Sequence, residues 1–161
     1  MQKAIFLDRD GVINSDVGHY YIFKPEHFAL NKGLVEALGA WQKKGYIFIV
    51  ISNQGGIARG TYTKNDVEKV HKHFMGLMDE HNIKITEIYY CPHHNEFEKC
   101  LCRKPDSLMI EKAIARFDVD VEKSYMIGDN HKDIEAAEKA GLKGIKIESN
   151  QNLETIFKQV D

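Results

Sequence analysis

Apolar residues fall along this chain in two alternating patterns, short unbroken runs and stripes at helical spacing. The runs Lys3–Asp8, Tyr46–Ser52, Thr86–Tyr90, Ser124–Gly128 and Gly144–Ile147 suit strands, the first two buried on both faces. Between them, Leu34, Leu38 and Trp41 fall at i, i+4 and i+7, which marks one helical face with Gly45 able to cap its end. Thr63-x-x-Asp66 resembles a capping box and opens a helix that buries Val67, Val70, Phe74 and Met78. Ile110, Ile114 and Phe117 form a third stripe, Lys132–Ala140 a fourth helix, and the last residues a short terminal one.

Strands separated by helices of this length predict a three-layer α/β fold, a Rossmann-like parallel sheet with helices on both faces. A single domain over residues 1–161 is expected, because no stretch between the motifs is long enough for a large cap domain. Ligands of such sheets bind beyond the carboxyl ends of the strands. Asp8, Ser52, Cys91 and Asp129 all sit at predicted strand ends.

Composition narrows the partners. The formal net charge of -2 offers no basic field for a nucleic-acid backbone. No apolar stretch approaches the ~18 residues that span a membrane, and the N-terminus runs straight into a strand with no leader pattern. The expectation is a cytoplasmic monomer whose partner is a small phosphorylated metabolite, with neither nucleic acid nor membrane involved.

Asp8 and Asp10 leave the first strand one residue apart, and extended geometry would point both to one side. Two facing carboxylates repel unless a cation or proton intervenes. Alone, Asp-x-Asp-Gly can be a turn with solvated acids. Asp129 and Asp133 after another strand add further carboxylates, and a hard cation such as Mg²⁺ suits that oxygen cluster. Ser52 offers a hydroxyl beside the amides of Asn53–Gly56, and Lys104 a positive charge. Phosphoryl transfer asks for this set: a nucleophile, an acid/base, a metal and donors for the equatorial oxygens. The bland alternative keeps Ser52 as a strand-end cap and Lys104 as a solvated surface charge.

The three cysteines cluster as Cys91-x-His93, six residues, Cys100-x-Cys102. Three thiolates and an imidazole match a closed tetrahedral Zn²⁺ site that would staple the polar loop leading into Arg103 and Lys104. His94 is the alternative ligand to His93, and free thiols the alternative to a metal. His71 and His73 are expected at the surface, and His19, Tyr20 and Tyr21 in a flap over the site.

In order, Asp8-Arg9-Asp10-Gly11, Ser52-Asn53, Lys104 and Gly128-Asp129-x-x-x-Asp133 resemble the four motifs of the haloacid dehalogenase-like phosphatases. The resemblance implies that Asp8 attacks phosphorus and that Asp10 serves as acid, then base. It implies that Ser52 and Lys104 hold the phosphoryl group, and that Asp8, the Asp10 carbonyl and Asp129 bind Mg²⁺. Asp133 would orient Lys104 or the metal's waters.

Phe6–Asn14, Asn53–Gly60, Tyr89–His94 and Arg103-Lys104-Pro105 are similar to a subgroup of heptose 1,7-bisphosphate and histidinol-phosphate phosphatases. Removal of the 7-phosphate of D-glycero-D-manno-heptose 1,7-bisphosphate is the activity this implies, with histidinol phosphate as the alternative substrate. A phospholigand-binding module or a nucleic-acid end phosphatase ranks lower. Asn53, Gln54, Arg103 and Arg59 are expected at the substrate, Arg103 against the phosphate that does not react. Asn130 stands where the heptose enzymes often carry Lys, and the loop from His93 to Cys100 is shorter than is usual in them.

Overall fold

Each apolar run becomes a strand in the computed structural model, which describes all 161 residues. The strands are β1 (Ala4–Leu7), β2 (Ile47–Asn53), β3 (Ile85–Cys91), β4 (Tyr125–Gly128) and β5 (Lys143–Lys146). The helices between them are α1 (Leu34–Lys43), α2 (Lys64–Glu80), α3 (Leu108–Phe117) and α4 (His131–Lys139). All strand pairs are parallel, in the order β3-β2-β1-β4-β5. Boundaries differ from the sequence expectation by a residue or two. Cys91 closes β3 at the expected strand end, and the terminal helix is a 3-10 segment over Leu153–Gln159.

Side chains alternate across the pleat, and each set has its own helices to bury against. Ile5, Leu7, Phe48, Val50 and Ile127 face α1, α2 and the terminal segment, in one core with Trp41, Phe74 and Ile156. Ala4, Phe6, Ile49, Ile51 and Met126 face α3 and α4, in a second core with Ile110 and Ala137. Burial on both faces is why the central strands β1, β2 and β4 read as continuous apolar runs, whereas the edge strands β3 and β5 are more exposed. No inserted cap domain interrupts the sheet, and no helix is long and apolar enough to cross a membrane.

The helix starts are set by short-range chemistry. At α2, Thr63 Oγ1 accepts from the Asp66 amide at 3.2 Å while the Asp66 carboxylate accepts from the Thr63 amide at 2.9 Å. The α4 start repeats the device with Asn130 and Asp133. From β1 the chain moves to β2 on one side, whereas β3 returns across the sheet to β4 on the other. The helices that follow β1 and β4 therefore lie on opposite faces of the sheet, which leaves a crevice beyond the carboxyl ends of these two central strands.

Candidate active site

That crevice is a cavity of about 260 Å³ lined only by polar and charged residues, among them Asp8, Asp10, Asn53, Arg103, Lys104, Asp129 and Asp133. Asp8 is anchored as an extension of β1, its amide donating to the Ile127 carbonyl at 3.1 Å. Gly11, at φ 86, lets the chain turn back, and a Cβ there would collide with the Asp129 carboxylate. The close approach of the two loops thus requires glycine.

Lys104 is 2% exposed, not the solvated charge of the bland reading. Its Nζ donates to Asp8 Oδ1 at 2.9 Å, Asp133 Oδ1 at 2.6 Å and the Ile51 carbonyl at 2.7 Å, so all three protons are used. Burial alone would discharge the amine, but the Asp8 and Asp133 carboxylates outweigh it and hold its pKa above the usual lysine value. Asp8 is pushed well up by burial, which the pull of Lys104 does not offset while Asp133 and Asp129 add repulsion. Burial likewise raises Asp129.

Carboxylate oxygens of Asp8, Asp129 and Asp133 all lie within 4.8 Å of one another. With one ammonium against three acids and Asp133 committed to it, Asp8 and Asp129 are left as a crowded, negative oxygen pair. That donor set fits a hard divalent cation.

The second cluster lies at the end of β3. Cys91 Sγ is 3.3 Å from His93 Nδ1, 3.0 Å from Cys102 Sγ and 3.7 Å from Cys100 Sγ, and His93 Nδ1 is 3.3 Å from Cys102 Sγ. Ligands on a zinc tetrahedron would stand roughly 3.6–3.8 Å apart, given bonds of about 2.3 Å to sulfur and 2.0–2.1 Å to nitrogen. Three of the four spacings lie at or just inside that value, the Cys91–Cys102 pair at 3.0 Å is closer, and the donor set suits a soft, borderline metal. The two histidines are also sorted: His93 joins the thiols, while His94 Nε2 faces Arg59 Nη2 at 3.3 Å.

A HAD-hydrolase-like family model matches residues 101–158. The chain is 39% identical over 148 residues to the D-glycero-beta-D-manno-heptose-1,7-bisphosphate 7-phosphatase of Haemophilus ducreyi, covering 88% of this chain and 80% of that one. It is 41% identical over 140 residues to the D-glycero-alpha-D-manno-heptose-1,7-bisphosphate 7-phosphatase of Campylobacter jejuni, covering 87% and 78%. The chain belongs to the haloacid dehalogenase-like phosphatases. It is a phosphoric monoester hydrolase. The D,D-heptose 1,7-bisphosphate phosphatase of B. bronchiseptica, solved with magnesium and phosphate, superposes on this phosphatase with a TM-score of 0.85 at 27% identity, covering 97% of this chain and 86% of that one.

Some expected site residues of the phosphatase lie back from its cavity. Ser52, 1% exposed, accepts from Gln54 Nε2 at 2.7 Å, and Gln54 in turn reaches Asp10 Oδ2 at 3.5 Å. Arg59 does not line the cavity. It braces the glycine-rich loop against the thiol loop, paired with Glu96 at 3.2 Å. Arg103 does line it, with Nη1 donating to the His93 carbonyl at 3.0 Å. Asp133 takes the expected place beside Lys104.

Sequence reasoning passed over several neighbours of Asp10. Asn14 Nδ2 donates to its Oδ1 at 2.9 Å, and Arg9 grips both oxygens of the carboxylate. Tyr62 donates to Gln54 Oε1 at 2.6 Å while Tyr21 and Phe23, from the segment after Asp10, pack on its ring. Lys132 enters the cavity from the first turn of α4. The expectation that His71 is a surface residue was incorrect, because it is 6% exposed. The available signal was its spacing from Val67 and Phe74, at i+4 and i−3, which places it on the buried stripe of α2.

Proposed function

We propose that the phosphatase removes the 7-phosphate of a heptose 1,7-bisphosphate through a phosphoenzyme on Asp8. The observation that carries this is the convergence of the Asp8 and Asp129 carboxylates on one cavity whose other lining includes two cations outside the Lys104 network, Arg103 and Lys132. A bisphosphate needs such cations for the phosphate that does not react. Arg103 brings a planar fork suited to oxyanions. Lys132 supplies the charge that Asn130 lacks, while Asn130 serves as the cap of α4, its Oδ1 accepting from the Lys132 amide at 3.0 Å. The relatives named for this substrate support the same reading.

In the first step an Asp8 oxygen bonds to phosphorus and the bond from phosphorus to the sugar oxygen breaks. Asp10 gives its proton to that departing oxygen. In the second, Asp10 takes a proton from water as the water oxygen attacks phosphorus, and the phosphorus–Asp8 bond breaks to release phosphate. Lys104 holds Asp8 by one oxygen and carries positive charge at the site where negative charge develops. Asp8, Asp129 and the Asp10 carbonyl would hold Mg²⁺, which when bound neutralises the phosphoryl oxygens. Cys91, His93, Cys100 and Cys102 would hold a structural Zn²⁺ that stiffens the loop carrying Arg103.

Histidinol phosphate, the alternative substrate, would call for a free carboxylate near the flap. Asp16 is the nearest candidate, but it already accepts from Ser149 Oγ and, at 2.8 Å, from Asn150 Nδ2.

Phosphate release measured on both substrates, with and without Mg²⁺, tests the proposal. The expected result is Mg²⁺-dependent preference for the bisphosphate, abolished in Asp8→Asn, with Arg103→Ala raising KM for it. A higher kcat/KM for histidinol phosphate would overturn the substrate, and an active Asp8→Asn the mechanism.

A further inference from the structure

Asp10 does not hold itself in place. Arg9 Nε donates to its Oδ1 at 3.0 Å and Nη2 to its Oδ2 at 3.1 Å, a bidentate grip. Arg9 is itself 1% exposed, so its planar fork is oriented entirely from inside the protein. Two groups do this. Nη2 also donates to the Ile22 carbonyl at 2.6 Å, and Nη1 meets His71 Nε2 at 3.3 Å.

A guanidinium can only donate, so this contact assigns Nε2 as the unprotonated nitrogen of His71. Burial, with the Arg9 charge adding to it, holds the His71 pKa near 3, and the ring stays a neutral acceptor at neutral pH. The ring is fixed in turn, standing edge-on to Tyr90 with centroids 5.5 Å apart.

We propose that His71 is a positioning residue of this phosphatase: by accepting from Arg9 Nη1 it locks the guanidinium, and through it the Asp10 carboxylate, in the orientation from which the leaving oxygen is protonated. The inference rests on the acid role of Asp10 proposed above. Without the acceptor, Nη1 becomes a buried donor with no partner, and the fork turns to seek one. The Asp10 carboxylate then loses its bidentate partner and keeps only the single contacts from Asn14 and Gln54, free to rotate between them. A displacement of about 1 Å in an acid costs up to about a hundredfold in rate.

The leaving group separates this role from a structural one. A sugar alkoxide needs the Asp10 proton as its bond to phosphorus breaks. A p-nitrophenolate departs as the anion and leaves that proton on Asp10. In kcat/KM, which covers the steps up to the phosphoenzyme, only the sugar substrate reports on Asp10.

The experiment compares kcat/KM for heptose 1,7-bisphosphate and p-nitrophenyl phosphate in the full chain with Mg²⁺. His71→Leu is expected to lose about ten- to a hundredfold on the sugar bisphosphate, mostly in kcat, and less than about threefold on the aryl ester. His71→Gln, whose carbonyl can replace Nε2, restores most of the loss. Should the leucine variant fail to fold, His71→Asn, polar but too short to reach Arg9, takes its place. Equal losses on both substrates, or none, overturn the proposal. Asp10→Asn run alongside distinguishes the failures: if it too shows no leaving-group selectivity, the acid role itself is wrong.

Discussion

The two side-chain clusters at the carboxyl edge of the sheet are built on opposite principles. Asp8 and Asp129 project from the ends of β1 and β4, central strands whose residues are buried throughout. They are hard oxygen donors facing an open cavity. The Cys91 cluster hangs from the edge strand β3, and its other members lie in a loop whose large apolar residues Phe97 and Leu101 are 59% and 77% exposed. It is soft and closed on itself, its four donors facing one another. The sheet can therefore position the first cluster without help, whereas the loop reaches the second core through its cysteines, and a metal held among them would add the cross-link it lacks. The proposed function follows the same division: the strand-end carboxylates would do the chemistry, and the thiol loop carries Arg103 and Lys104 to the cavity.

The comparison is tested most severely at Asp8. Asp8→Asn should lower phosphate release by about a thousandfold or more, as loss of a nucleophile does. Its melting temperature should not fall, since Lys104 keeps Asp133. Lys104→Met comes next, with an expected loss of about a hundred- to a thousandfold in kcat. Because it strands buried carboxylates, it should also destabilise the fold by about 3–5 kcal/mol in chemical denaturation. A Lys104→Met protein as stable as wild type would mean that the acids are not held by that lysine.

Disturbing the thiol cluster should act through stability instead. Cys102→Ser is expected to lower the melting temperature by about 5–10 °C, the effect of about 2–3 kcal/mol in a domain of this size. Activity should fall with it, and added Mg²⁺ should not bring it back. A normal melting curve with lost activity would assign the cluster a direct part in the reaction and break the division.

The smallest effect sharpens the layer behind the carboxylates. Burial depresses the His71 pKa from its ordinary 6.5 to about 3, so the unfolded chain binds the extra proton first. The stability this contributes is present above pH 6.5 and drains away as pH falls towards 3. The melting temperature of the wild type should therefore fall more steeply than that of His71→Gln between pH 7 and roughly pH 5. Parallel curves would show that the ring is not buried neutral.

Local pattern was enough for much of this molecule. The apolar runs and helical stripes located every strand and long helix, most sharply β1, β2 and β4, since a strand covered on both faces must be apolar along its length. Asp8, Asp129 and the Cys/His cluster could be read because their chemistry depends on residue type and on position at a strand end. Thr63 and Asp66 are three residues apart, and such a spacing is visible in the chain. The partners of Asp10 were decided only in three dimensions. Arg9 and His71 are 62 positions apart, and Asn53 joins the Lys104 amide across 51. Arg9, Lys104 and His71 would each be expected in water from their polarity alone. Which polar side chains are drawn inside depends on where the crossovers bring acceptors and charges to meet them, and that information is carried by the packed sheet rather than by any segment of it.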